Sequence, residues 1–269
     1  MKKIIFIFAF WVIIQACKKT DDTSSITPTV KMPCRITQMI TNKGTYDFVY
    51  GSDGNITKYT LTNLVGSDKQ VLTNSFGYNA SNQLTSAIQS FTINGKDQGG
   101  NNVGVFTYSS GLLTGISYTA PGGTTAFAST FLKYDANKRL IESNYINTSS
   151  KFSSIDKYEY DANGNCTKNL SIASDKSTFE VVNTYDSSKN PEQILAKILP
   201  YDFATSQPWK NNVALTYKET FNDGAGFIDV LTGKRTNIKT SANAYVNATT
   251  FTDGNNGVIN ESYALADCN

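Results

Sequence analysis

Hydrophobic positions along the chain fall into two regimes. Ile4 to Ile14 is an unbroken apolar run preceded by Lys2 and Lys3. From residue 46 onward apolar and polar residues alternate in short stretches, separated by turns rich in Asn, Asp and Gly. Alternation with period two sends successive side chains to opposite faces of a strand, so each stretch reads as a strand with one buried face.

The stretches repeat. Aligned on Tyr50, Tyr78, Tyr108, Tyr134, Tyr160 and Tyr185, the anchors stand 28, 30, 26, 26 and 25 residues apart, the kind of period that marks a repeat architecture. In the first five units an apolar residue precedes the tyrosine by two: Phe48, Phe76, Phe106, Leu132 and Tyr158. Turn sequences follow, such as Ser52-Asp53-Gly54-Asn55, Asn79-Ala80-Ser81-Asn82 and Asp161-Ala162-Asn163-Gly164. These residues tolerate positive φ and bond their own backbone, as hairpins require. An apolar residue then returns at Ile56, Leu84, Leu113 or Leu140, often followed by threonine. One unit is therefore a hairpin, and the chain predicts an all-β antiparallel meander of hairpins forming a strongly curved or partly closed sheet. Cys166 occupies the returning apolar position of its unit and reads as a small buried residue. The pattern breaks at Pro191. There Asn190 can cap a short helix over 191–199 that Pro200 ends. Strand character resumes at Val213 and runs on to a last strand near 258–265.

The apolar run of residues 4–14 is too short for a bilayer span, which needs about 20 residues, and fits the core of a signal peptide. Ile14-Gln15-Ala16-Cys17 resembles a bacterial lipobox, which implies cleavage before Cys17 and lipid on its thiol. The domains then read as a signal peptide over 1–16, a lipidated polar tether over 17–33 and a single β domain over 34–269. Lys18, Lys19, Asp21 and Asp22 look like the charged export tags of surface-exposed Bacteroidota lipoproteins, and equally suit a plain solvated linker. The implied location is the cell envelope, anchored to the outer membrane and open to surface exposure.

Composition then removes whole classes of chemistry. The chain has no histidine, which excludes Ser-His, Cys-His and His-metal mechanisms. Loss of residues 1–16 removes two lysines and no acidic residue, leaving 22 basic and 22 acidic side chains. A neutral chain lacks the basic face that nucleic acid needs. The cysteines show no metal-binding spacing. In an exported protein Cys34 and Cys268 can pair and tie the ends of the domain together, although their positions alone leave this open. Neither a metal nor a cofactor is expected.

Three motifs resemble known chemistry and fall short of it. Asp161 to Asn165 mimics the start of a calcium loop, but Ile172 stands where its Glu should be. Ser154-Ile155-Asp156-Lys157 fits Ser-x-x-Lys without the companion motifs of penicillin-binding enzymes. Asp47, Asp135, Glu142, Glu159 and Asp161 are candidates for a carboxylate-based glycoside hydrolase, yet they fall on turns or exposed strand faces. Tyr201, Phe203 and Trp209, in the one irregular insertion, are candidate ligand-binding residues.

Tyr134-Asp135-Ala136-Asn137 and Tyr160-Asp161-Ala162-Asn163 resemble the tyrosine-aspartate repeats of large bacterial surface shells. With the lipobox, an early cysteine, Tyr-Asp hairpins and a cysteine at the end, the chain over 34–268 is similar to an uncharacterised family of Bacteroidota lipoproteins with a porin-like fold. The resemblance implies a hairpin meander and no activity. A membrane pore is not expected, because Lys133, Lys157 and Glu159 lie opposite the tyrosine row. Taken together, the sequence points to a non-catalytic binding or interaction lipoprotein. Its partners would be the membrane, through Cys17, and a glycan or another envelope protein. A purely structural envelope protein is the alternative, and the oligomeric state stays open.

Overall fold

A computed structural model describes residues 34–41, 44–99, 102–190, 195, 212–240, 245–253 and 257–266. The first strands are β1 (Arg35–Thr41), β2 (Gly44–Tyr50), β3 (Ile56–Val65), β4 (Asp68–Tyr78), β5 (Leu84–Ile93) and β6 (Lys96–Asp97). Next come β7 (Val103–Ser109), β8 (Leu112–Thr119), β9 (Ala126–Tyr134), β10 (Leu140–Asn147), β11 (Phe152–Tyr160) and β12 (Cys166–Ala173). The series ends with β13 (Thr178–Lys189), β14 (Asn212–Asn222), β15 (Ile228–Thr240), β16 (Val246–Asp253) and β17 (Val258–Ala266). Apart from β6, each strand pairs antiparallel with the next, and β1 pairs with β17 from Arg35↔Ala266 to Ile40↔Ser262. The two-residue β6 is a short arm beside β5, and β5 also pairs directly with β7. The other sixteen strands close into a barrel, further than the partly closed sheet expected from the repeats. Most of the segment 191–199, where a short helix is expected, lies outside the described residues. Of that segment only Leu195 is described; it is helical and fully buried.

Closure follows from a device repeated in each hairpin. Tyr50 pairs with Ile56, but its neighbour Val49 pairs with Lys58, so Thr57 is an extra residue in the ladder. The same slip leaves out Thr85 opposite Tyr78, Thr114 opposite Tyr108, Ile141 opposite Tyr134 and Thr167 opposite Tyr160. Such bulges bend a strand and increase its twist, which curls a sheet toward closure. The threonines satisfy the disrupted ladder. Thr57, Thr85, Thr114 and Thr167 donate their hydroxyls to the carbonyls of Val49, Gly77, Thr107 and Glu159 at 3.3, 3.1, 3.3 and 3.4 Å.

The tyrosines join one hairpin to the one before it. Tyr50 donates its hydroxyl to the Ile36 carbonyl at 2.8 Å, Tyr78 to Ile56 at 2.8 Å and Tyr160 to Leu140 at 2.6 Å. Tyr185 donates to the Cys166 carbonyl, and Tyr108 is hydrogen-bonded to the Leu84 backbone. The guanidinium of Arg35 lies over the Tyr50 ring and that of Arg139 over Tyr160, 5.2 and 4.9 Å from the ring centres, a favourable cation–π placement. Beneath this ladder Ile36, Ile56, Leu84, Leu113, Leu140, Cys166 and Leu195 are 0–7% exposed and belong to one hydrophobic cluster. Each such side chain is worth about 1.5–3 kcal/mol when taken out of water. Sixteen strands would otherwise leave an open channel. Here apolar side chains fill the end at which Arg35 begins the first strand and Ala266 ends the last.

The turns at this end share one geometry. Asp53, Asn79, Asp135 and Asp161 each accept backbone N–H bonds with a side-chain oxygen, from Asn55, from Ser81 and Gln83, from Asn137 and Arg139, and from Asn165. The fourth residue after the tyrosine takes positive φ: Gly54 at 81°, Asn82 at 58°, Lys138 at 62° and Gly164 at 80°.

The outer face mixes polar rows with exposed apolar side chains, among them Val49, Ile88, Val105 and Phe131 at 46–52% exposure. Asp47, Thr60, Thr73 and Ser90 form one cross-strand row. Lys133, Glu142, Lys157, Leu170 and Glu180 form another, with Lys133 Nζ 2.6 Å from Glu142 Oε1. Lys58, Glu159, Lys218 and Lys234 are also exposed on this face. A lysine at the bilayer midplane of a membrane barrel costs about 2–4 kcal/mol, so this wall suits water.

Two outcomes follow. Tyr78→Phe and Tyr160→Phe each remove one buried hydrogen bond and should each cost about 0.5–1.5 kcal/mol in denaturant unfolding; Gly54→Ala should cost about 1 kcal/mol through its φ alone. Burial pushes the Tyr50 and Tyr134 phenols up to about 12, against about 10 when unfolded. A raised folded pKa means that their contribution is complete below pH 10 and is lost as the pH rises toward 12. Phenolate absorbance of the native protein should therefore show a late fraction that ionises only together with unfolding. A single smooth titration of all tyrosines near pH 10 would contradict this.

Candidate ligand-binding site

Above the apolar floor, the inward positions of the strands turn polar. Asn74 on β4 follows the inward rhythm of Phe76 and Tyr78, and Gln89 on β5 faces it across the ladder. Ser143, Asp156, Asn169, Asn183 and Glu219 take inward positions on β10 to β14. The lumen wall thus has a neutral sector and a charged sector.

The neutral sector holds a cavity of about 250 Å³ lined by Asn74, Ala87, Gln89, Asn102, Gly104, Phe106, Tyr118, Phe127 and Tyr145. No Asp, Glu, Lys or Arg is among them. Phe106 belongs to the buried cluster, so the cavity rests on the floor. The Tyr118 and Phe127 rings stand 6.5 Å apart at 38°. Tyr145 is placed by the Asn147 amide, which donates to its hydroxyl at 3.2 Å. Gln89 donates to Asn74 Oδ1 at 3.4 Å, while Asn74 Nδ2, on a residue only 4% exposed, has no partner within the protein. An unmet buried amide donor costs about 1–3 kcal/mol. Gly104 leaves room here: a Cβ would sit 3.6 Å from the Phe106 ring, an ordinary contact.

The charged sector works differently. Burial raises the pKa of the Asp156 carboxyl, partly offset by hydrogen bonds from Ser171 and Ser143. Burial likewise raises Glu219. Arg235 Nη2 stands 3.1 Å from Glu261 Oε2, with both side chains largely buried. Buried opposite charges in one pair cost less than either alone.

The residues singled out from the sequence fall as follows. Asp47 accepts a bond from Gln38, Glu142 pairs with Lys133, and Glu159 lies on the outer face, away from the lumen. Asp135 and Asp161 are spent on turns. Asp161 holds the Asn165 backbone and side-chain amides, which is a turn role rather than a calcium loop. The hydrolase reading thus loses these five carboxylates as a lumen pair. In the Ser-x-x-Lys match, Ser154 faces the lumen and Lys157 the outside, so the two cannot meet. Cys166 is 1% exposed and burial pushes its thiol up to about 12, the behaviour of a core residue. Cys34 is disulfide-bonded. Cys268, Cys17, Tyr201, Phe203 and Trp209 lie outside the described residues. The sequence reading missed Asn74 and Gln89, whose signal was an amide at an inward position of an otherwise apolar alternation.

Fold and lumen together define a closed antiparallel barrel with a filled floor and a polar, aromatic interior. No protein-family model and no curated protein matches the chain. Among solved structures it is similar to a porin-like protein from Bacteroides uniformis, with a TM-score of 0.54 at 12% identity, over 86% of this chain and 98% of that one. It also aligns with a porin-like protein from Bacteroides vulgatus, with a TM-score of 0.43 at 12% identity, over 85% of this chain and 97% of that one. At such identity the first likeness concerns the fold alone.

Asp156 yields a prediction. Its raised folded pKa means that its contribution to stability is present at acid pH and is lost as the pH rises through the folded value. Asp156→Asn should therefore raise Tm at neutral pH and flatten the change in Tm between mildly acid and neutral buffer. A lower Tm at neutral pH would show that the ionised carboxylate is the form the fold uses.

Proposed function

We propose that this chain is a non-catalytic binding lipoprotein of the bacterial envelope, held to the outer membrane by lipid on Cys17, with the barrel in water and a small neutral ligand in its lumen. The observation that carries this reading is the inversion of polarity relative to a membrane barrel. Lys58, Lys133, Lys157 and Lys218 face outward, while the cavity inside is uncharged and lined by amides and rings. Exposed apolar side chains such as Val49, Ile88, Val105 and Phe131 share the outer wall with these lysines, which a lipid-facing band would exclude at mid-membrane, so in this reading attachment falls to the anchor. The filled floor makes the lumen a cup open at one end rather than a conduit. A receptor or presentation role fits a cup, and transport through it does not. The porin-like name of the similar solved proteins supports a barrel of the envelope and says nothing of a pore in this one.

Cell fractionation tests the division between anchor and barrel. The wild-type protein should sediment with outer membranes, and Cys17→Ser should release a folded barrel into the soluble fraction. A Cys17→Ser protein that stays in membranes and resists carbonate extraction would mean that the barrel itself is inserted.

A further inference from the structure

We infer that the cavity beside Asn74 is a binding site for a single neutral sugar ring, such as the terminal residue of a glycan; this rests on the binding-cup reading above. Three features of the site converge on that chemistry. First, the lining holds no Asp, Glu, Lys or Arg and no group charged at neutral pH, which disfavours phosphates, carboxylates and amines, since a buried charge needs a partner. Second, Asn74 is a buried amide whose Nδ2 has no protein partner, and Gln89 and Asn102 add further amide groups around the same space. Amides both donate and accept, which matches hydroxyls that do the same. Third, Tyr118, Phe127 and Tyr145 are half-buried rings around the cavity. A pyranose has polar edges and apolar C–H faces, so it can lie against a ring while its edge bonds to amides. About 250 Å³ is near the lower limit of small-molecule sites and suits one ring rather than a chain. A flat aromatic ligand such as a nucleoside would also meet the rings, but it carries fewer hydroxyls for the clustered amides.

The test uses the mature protein and two panels. One contains glucose, galactose, mannose, fucose and the N-acetylhexosamines; the other contains adenosine, guanosine, cytidine and uridine. Binding is read by saturation-transfer NMR and by isothermal titration. At least one sugar should bind with millimolar affinity. Asn74→Ala should weaken it by up to about tenfold, as expected for one neutral hydrogen bond. Gly104→Leu, which places a side chain in the cavity at a position without positive φ, should abolish binding while the melting curve stays cooperative. Should Gly104→Leu fail to fold, the Asn74→Ala result decides alone. If nucleosides bind in an Asn74-dependent way and sugars do not, the sugar assignment is overturned and the cup reading stands. If sugars bind equally well to both variants, the site is elsewhere and the inference fails. If nothing in either panel binds, both the inference and the binding-cup reading fall.

Discussion

The hydrogen bond from a tyrosine hydroxyl to a backbone carbonyl of the preceding hairpin is the contact on which the rest of this barrel depends. Tyr78 reaches Ile56, Tyr160 reaches Leu140 and Tyr185 reaches Cys166. In each case the acceptor belongs to the apolar residue that returns after the earlier unit's turn. A ladder of backbone bonds fixes neighbouring strands in register but does not by itself set curvature. The tyrosines span from one hairpin to the next on the inside, where a curling sheet brings its residues closest. The bulges, four at a threonine and one at Ile141, bend the same strands at the same level. Curvature and cross-linking thus come from residues within a few positions of each other. Repeated around the ring, they bring β17 back to β1.

Closing the barrel largely settles the exposed-edge problem of a long antiparallel sheet, since among the described residues every strand but the two-residue β6 is paired on both sides. It also creates an interior, and the sequence uses that interior unevenly. At the turn end it is filled by Ile36, Ile56, Leu84 and their neighbours. Further along it is lined by amides, rings and, on one side, buried charge. The outer wall carries lysines, acids and threonines among exposed apolar residues such as Val49, Ile88 and Phe131. Under the proposed reading, lysines on the outside and a partly polar inside describe a container, whereas a pore through lipid needs its mid-membrane band apolar. Fold likeness to the porin-like protein of Bacteroides uniformis is compatible with the proposed anchored cup, because strand count and closure do not specify which solvent the outer face meets.

Much of this was legible in the sequence because the determinants are local. The spacing of Tyr50, Tyr78 and Tyr108, the Asn- and Asp-rich turns and the returning Ile56 and Leu84 fix hairpins within about ten residues of chain. Cys166 could be placed in the core because it stands where the other units have Ile or Leu. Full closure was not legible, because it depends on Arg35 meeting Ala266 across nearly the whole chain. The destination of the tyrosine hydroxyls was missed for a similar reason, since each acceptor lies about twenty residues upstream. The cavity was missed because Asn74, Gln89 and Tyr145 come from different hairpins and converge only once the ring is shut. Tyr201, Phe203 and Trp209, by contrast, stand out in the sequence because their irregular context is local.

The central claim is that inward tyrosine bonds hold a ring with no free edge, and hydrogen exchange at the seam tests it most directly. Tyr50 fastens β1 through the Ile36 carbonyl, next to the β1–β17 pairing. In the wild-type protein the seam amides of β1 and β17 should exchange only with global unfolding, as slowly as those between β3 and β4. In Tyr50→Phe the seam alone should open by local fluctuation. Seam amides that exchange quickly in the wild type, or that are indifferent to the loss of the Tyr50 hydroxyl, would contradict the account.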